Sequence, residues 1–271
     1  MEHLRATPGA ADLAPAPDAA STRVALEAYY ARYYRDTLGI PDWRAHVAAR
    51  LDDRAQEGRR VARLEEALGR SVRGLRLLDV GCGPGGFAAA AVEAGARVWG
   101  VDGSAEAVAI AARRVERAGI ARAVAEALPY ADGTFDVVHC YSTLEHVADA
   151  SRTVAEMLRV LQPTGALYLH MPHRWSCQEG HYKIFWIPGL PPWAARAWVR
   201  ARGRPPAFLA TLRPLTEREA HALVARAGGR VSRVLDGGEP RRVGGPLWPL
   251  VRAYYRTLGI RPHVELVARR G

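Results

Sequence analysis

The run Leu77-Leu78-Asp79-Val80-Gly81-Cys82-Gly83-Pro84-Gly85-Gly86 brings an acid to the end of an apolar segment and follows it with a glycine-rich turn. Gly81, Gly83 and Gly85 permit positive φ and let a ligand approach the backbone closely. The amides of such a turn and the dipole of the helix after it favour a negative group. Pro84 suits a first helical turn, where its missing N–H costs nothing. Asp79 sets a carboxylate beside the same turn. Those types at that spacing suit a ligand with one cationic and one anionic group, as an amino acid has.

Gly81, Gly83 and Gly86 also satisfy GxGxxG, and Asp102 follows about twenty residues later, as in a dinucleotide fold. Two details favour a different ligand. A dinucleotide turn carries an aliphatic residue where Asp79 stands, because an acid there would face a pyrophosphate. The run from Glu126 to Val138, with its Leu128-Pro129 step, has no role in that fold.

Positioning that turn takes alternating strands and helices. Apolar runs predict strands over 76–80, 97–101, 121–125, 135–140 and 166–171. Helices are predicted over 84–94, 104–118 with Ser104 as N-cap, and 150–161. The alternation implies an α/β fold, a mostly parallel sheet with helices on both faces, whose ligands bind at the carboxyl ends of the strands. Asp79, Asp102 and Cys140 fall at those ends. Upstream, 22–35 and 43–68 read as two helices, and residues 1–20 as a disordered tail. Downstream, Thr216 and Glu219 form a capping box for a helix over 216–227. A helix over 246–258 then separates strands at 230–235 and 264–269. Domain bounds follow: tail 1–20, helical extension 21–70, and a main domain 71–271 with an insertion at about 172–213.

Composition sets limits. The 271 residues suffice for one good core. Cys82, Cys140 and Cys177 are odd in number and lack a CxxC pair, which points to a reducing cytoplasm and away from a disulfide framework or a metal site. No run approaches the roughly eighteen apolar residues of a membrane span. All but one of the 38 basic residues are Arg, Lys183 being the exception, and 17 of them lie from Lys183 onward against 5 of the 28 acidic residues. The whole excess of +10 therefore sits in the last third. A basic face of that kind attracts an acidic substrate, a membrane surface or RNA, or is simply solvated.

LLDVGCGPGG (77–86), VDGS (101–104), AEALPYADGTFDVVHCYSTLEHV (125–147) and MLRVLQPTGALYL (157–169) together resemble the class I S-adenosylmethionine-dependent methyltransferases, specifically the bacterial type-11 group. The resemblance implies a Rossmann-like, doubly wound, seven-stranded sheet of order 3-2-1-4-5-7-6 with an antiparallel hairpin at its end. It implies S-adenosylmethionine as cofactor. Asp79 then meets the methionine ammonium, the backbone from Gly81 through Gly83 to Gly85 lies along the ligand, and Asp102 offers two acceptors to the ribose hydroxyls. Gly103 and Ser104 line the adenine edge, and Cys140 borders the site. Family members often place an acid before the LP step to read the adenine amino group. Here Val124 occupies that position, leaving the Ala125 backbone or Glu126 to take over the contact.

Methyl transfer is an in-line displacement at a sulfonium, so alignment carries most of the work. A base is needed only for a protonated nucleophile such as a hydroxyl. His146 after strand four, His173 after strand five, and His181 are the candidate catalytic residues. His139 and His170 read as satisfied core residues. The Trp175–Phe208 segment interleaves aromatics with Arg196, Arg200, Arg202 and Arg204. It reads either as a structural cap whose aromatics pack onto the sheet edge or as a functional segment, first a substrate lid, then an interfacial contact for a membrane or lipid-linked acceptor, and last a nucleic-acid surface. The expected function is O- or N-methylation of a small molecule such as a secondary metabolite, sugar or lipid-like intermediate. The alternatives are an NAD-dependent oxidoreductase and a non-catalytic S-adenosylmethionine-binding protein.

Overall fold

A computed structural model describes residues 19–236 and 245–271. Most of the expected tail therefore lies outside the described residues, while Ala19 and Ala20 already belong to a helix. Five strands run parallel: β1 (Arg76–Val80), β2 (Arg97–Asp102), β3 (Gly119–Arg122), β4 (Phe135–Tyr141) and β5 (Leu161–Pro172). Two short strands, β6 (Gln178–Glu179) and β7 (Ile184–Phe185), form a separate hairpin. β8 (Gly229–Val234) and β9 (His263–Arg270) complete the main sheet antiparallel to its neighbours, giving the order β3-β2-β1-β4-β5-β9-β8. With the small hairpin set aside, this is the expected order 3-2-1-4-5-7-6.

Helices cover both faces, as buried parallel strands require. On one face, Val154, Met157 and Leu158 of α6 (Ala150–Val160) and Leu223 and Val224 of α8 (Glu217–Arg226) pack on Leu78, Val138 and Leu167. On the other, Val61 and Leu64 of α3 (Arg54–Leu68) and Phe87, Ala88 and Ala91 of α4 (Gly86–Glu93) pack on Leu77, Val98 and Val137. Ser104 caps α5 (Ala105–Arg114), its Oγ accepting from the Ala107 amide at 3.2 Å. The capping box of α8 forms between Thr216 and Glu219.

A third cluster joins pieces distant in sequence. Leu26, Tyr30 and Tyr34 from α1 (Ala19–Ala31) and the turn after it pack with Val47 of α2 (Trp43–Leu51), Tyr182, Ile184 of β7 and Val199 of α7 (Pro192–Arg200). The N-terminal helices and the segment after β5 thus share one cap over the carboxyl ends of the strands.

Several elements depart from the sequence reading. The first helix gives way after Ala31 to a wider turn over Arg32–Thr37, in which the Leu38 amide reaches the Tyr33 carbonyl at 3.1 Å. The single helix expected over 43–68 divides into α2 and α3. At the break Asp53 turns inward, 2% exposed, and pairs with Arg114 of α5. β3 ends at Arg122, so Ala123 to Ala125 leave the sheet. β5 begins at Leu161, five residues ahead of the expected start, because Leu161 already pairs with Phe135. From Pro172 to Pro214, where no regular pattern was legible, lie β6, β7, α7 and a 3-10 turn over Pro206–Thr211. α9 (Trp248–Leu258) stands close to its expected position.

Candidate active site

β1 ends by presenting Asp79, 3% exposed, beneath the glycine turn. Its Oδ1 lies 2.7 Å from Nδ1 of His139 on β4, whose ring stacks on Phe87 with centroids 3.7 Å apart. Burial lowers the pKa of His139 more than Asp79 raises it. Oδ2 of Asp79 is buried, has no hydrogen-bond partner, and belongs to a residue lining a cavity of about 470 Å3. The turn supplies the cavity's floor. Gly81, at φ +77°, leaves no room for a side chain, since a Cβ would run into Thr143. Gly83, at φ +52°, has open space where a Cβ would stand.

The roof of this cavity comes from the N-terminal helices. Tyr29, Tyr30 and Tyr33 line it, as does Arg60 of α3. The Arg60 guanidinium lies 3.7 Å from the Tyr141 ring centroid, donates to Glu57 at 2.6 Å, and keeps a buried Nε without a partner. Sequence reasoning missed these residues. The available signal was the pairing of Tyr29-Tyr30 with Tyr33-Tyr34, which repeats aromatics at i, i+4 on one helix face.

A second cavity, about 440 Å3, opens beneath the segment after β5. Glu145, His173, Arg174, Trp186 and Arg196 line it, and Pro172, Gln178 and His181 line both cavities. His146, which lines the first cavity, meets His181 with their Nε2 atoms 3.3 Å apart. Burial pushes His146 down to about 4. For His181 burial acts in the same direction, but its hydrogen bond to Glu179 at 2.8 Å prevails and raises the pKa. Glu145, 1% exposed, is pushed up to about 7 by burial.

His173 does not join that pair. It lines only the second cavity, burial lowers its pKa, and its Nδ1 accepts from the Trp175 amide at 3.1 Å. His139 is the core residue the sequence suggested, with Asp79 as partner. His170 is not satisfied as expected. Its Nδ1 is buried without a partner, it lines the first cavity, and its ring stacks on Tyr141 at 3.8 Å.

The remaining cofactor candidates lie outside the first cavity's lining. Asp102 holds the turn together, accepting from the Gly83 amide at 2.9 Å and the Ser104 amide at 2.8 Å. It borders the cavity closely enough to add to the effect of burial in raising Tyr29 to about 12. Gly85 caps α4, and a Cβ there would stand 3.0 Å from that of Ala111. Gly103 is exposed. Ala125 packs on the core. Glu126 departs from the adenine role, because its Oε1 accepts from the Ala148 amide at 2.8 Å and the Asp149 amide at 3.2 Å. Cys140 also departs: β4 carries its thiol into the core at 0% exposure, and burial raises its pKa.

Residues 78–169 match the family described as "Methyltransferase domain". Over those residues the chain carries a methyltransferase domain, and that domain resembles the class I S-adenosylmethionine-dependent methyltransferases. An uncharacterized methyltransferase of Mycolicibacterium vanbaalenii is 48% identical over 107 residues, which are 39% of this chain and 42% of the relative. A ubiquinone biosynthesis O-methyltransferase of Ralstonia nicotianae is 38% identical over 106 residues, 37% of this chain and 44% of that one. The chain thus spans less than half the length of these curated relatives. An S-adenosylmethionine-dependent methyltransferase from Mesorhizobium loti shares the fold, with a TM-score of 0.54 and 21% identity over 77% of this chain and 96% of that one. The [4+2]-cyclase SpnF overlays with a TM-score of 0.55 and 22% identity over 79% of this chain and 81% of that one, so likeness at this level is one of fold. S-adenosylmethionine is the cofactor of such a domain.

Proposed function

We propose that the protein transfers the methyl group of S-adenosylmethionine to a small-molecule acceptor seated in the second cavity. The observation that carries this reading is the pair of cavities meeting at His181, one floored by the glycine turn and the other walled by aromatic and arginine side chains. The first cavity suits the cofactor's amino-acid end. Asp79 has a buried oxygen without a partner for the ammonium, and Arg60, which lines the same cavity, has a buried Nε for the carboxylate. Asp102, at the end of β2 and bonded to the turn through the Gly83 amide, would hold the ribose hydroxyls.

The bound cofactor supplies a methyl group on a sulfonium, a good leaving group, and what remains for the chain is proximity and exclusion of water. Tyr29, Tyr30 and Tyr33 roof the first cavity and keep solvent from the reacting centre. Pro172, Gln178 and His181 form the shared wall across which the acceptor's nucleophile aligns with the methyl carbon. Trp186 offers a stacking surface, and Arg174 and Arg196 offer positive charge, so a planar, anionic acceptor fits best. The ubiquinone biosynthesis name carried by a relative points the same way, toward O-methylation of a lipid-like hydroxyl compound. Trp193, 74% exposed on the helix that carries Arg196, suits an acceptor approached at a membrane surface. Among the described residues no helix is long and apolar enough to cross a membrane.

The test is a methyl-donor assay against phenolic, carboxylated and prenylated acceptors, alongside calorimetry with S-adenosylmethionine and NAD. We expect S-adenosylmethionine to bind and NAD not to. Trp186→Ala combined with Arg196→Ala should raise the acceptor KM about tenfold or more and leave S-adenosylmethionine affinity near normal. An acceptor KM indifferent to both substitutions would return the segment to a structural cap. Failure of S-adenosylmethionine to bind would end the reading altogether.

A further inference from the structure

Where the two cavities meet, the side chains of Glu145, His146 and His181 converge. Glu145 is 1% exposed, and neither of its carboxylate oxygens has a hydrogen-bond partner. His146 and His181 turn Nε2 toward Nε2 at 3.3 Å. Behind His181, Glu179 takes Nδ1 on Oε1 at 2.8 Å, while its Oε2 accepts from the Tyr182 amide at 2.5 Å. In the neutral ring a carboxylate in that position holds the proton on Nδ1, so that Nε2 of His181 carries the lone pair a metal ion needs. One ligand atom from each of Glu145, His146 and His181 lies within 4.8 Å of the other two.

A proton shared between the two rings would meet only part of this need. It would leave both buried Glu145 oxygens without a hydrogen-bond partner. One cation meets all three needs together. Two imidazole nitrogens, each roughly 2.0–2.1 Å from one tetrahedral zinc ion, stand roughly 3.3 Å apart. That is the separation found here.

We propose that Glu145, His146 and His181 bind one divalent transition-metal ion, zinc as the reference case, and that Glu179 orients His181 for it. Two histidines and a carboxylate are the donor set of catalytic zinc, with a further position left open. Glu145 lines the second cavity, His146 the first and His181 both, so that position faces the passage between them. An acceptor hydroxyl takes it, and the ion lowers the hydroxyl's pKa. The O–H proton goes to water, an oxygen lone pair forms the bond to the methyl carbon, and the carbon–sulfur bond breaks with its electron pair on sulfur. This transfer step rests on the methyl-transfer reading above; the metal site does not.

The test uses the whole chain, freed of metal by a chelator and then titrated with zinc alone by equilibrium dialysis. Cobalt(II) replaces zinc in a second arm to give an absorption spectrum. We expect one zinc per chain, and tetrahedral cobalt bands without thiolate charge transfer, since Cys82, Cys140 and Cys177 are all buried elsewhere. Glu145→Gln and His181→Asn should each weaken zinc binding at least tenfold, and Glu179→Gln by about tenfold to a hundredfold. If Glu145→Gln does not fold, His146→Asn and the cobalt spectrum of the unaltered chain still decide the matter. Absence of stoichiometric zinc, or variants that bind as the parent does, overturns the proposal. Calorimetry with S-adenosylmethionine on the metal-free chain is read separately, so a failed cofactor reading and a failed metal site give different results.

Discussion

Asp79 divides its two oxygens between His139 and the first cavity, and the division dictates which substitution is informative there. Alanine would remove the cofactor contact but would also strand a buried imidazole. Asparagine keeps an oxygen for His139 and puts an uncharged NH2 donor in place of the acceptor oxygen on the cavity side. Asp79→Asn should therefore leave the melting temperature close to that of the parent while weakening S-adenosylmethionine binding about tenfold to a hundredfold, as loss of a charge-assisted contact of about 1.5–3 kcal/mol requires. Calorimetry checks the affinity, and an unchanged affinity would remove Asp79 from the ammonium site.

A second prediction at this scale concerns pH. Burial holds His170 well below 6.5, with His263, Arg60 and His139 acting in the same direction, and it lowers His139 as well. Below 6.5 the unfolded chain takes up protons at these positions while the folded chain does not. Stability is thus fully present above 6.5 and falls as the pH drops toward the folded pKa values. His170→Phe, which retains the stack on Tyr141, should show a shallower loss of melting temperature between about pH 7 and pH 5. Identical slopes for parent and variant would count against a neutral, buried His170.

At the level of elements, the sheet was legible and the cap was not, for different reasons. β1, β2 and β4 announce themselves because strands buried on both faces read as continuous apolar runs, and glycine and proline mark where they stop. α8 was legible from two residues, Thr216 and Glu219, because a capping box is a local device. The tyrosines of α1 carry no such signal. Their positions at helical spacing say only that one face is buried, whereas their partners, Tyr182 and Ile184, lie some 150 residues downstream. The break between α2 and α3 was hidden for the same reason, since Asp53 is drawn inward by Arg114 of a separate helix. The cap is testable as a unit. Leu26→Asp places a charge among Tyr182, Ile184 and Val199, so hydrogen exchange should quicken in α1 and in the β6–β7 hairpin together. Faster exchange confined to α1 would show that the two pieces open independently.

On the scale of the whole molecule, the order of the sheet brings Asp79, Asp102 and the 142–146 loop to one edge, and this much followed from the alternation of elements. The sequence pattern named His146 and His181 separately, as lone candidates. Only the folding of the 172–213 segment back over β4 brings their rings together, a long-range consequence that no local motif encodes.

Composition adds one further consequence. Arginine has displaced lysine throughout this chain except at Lys183, which is exposed and lines the first cavity. Guanidinium groups do not react with amine-selective acylating reagents under mild conditions, so those reagents find a single side chain to modify, and it stands beside the donor cavity. A fluorophore delivered this way becomes a resident gauge of occupancy, with no engineered cysteine and no mutation. Mass spectrometry should find one side-chain adduct, formed more slowly once S-adenosylmethionine is present. An acylation rate indifferent to that ligand would place Lys183 outside the volume the donor fills.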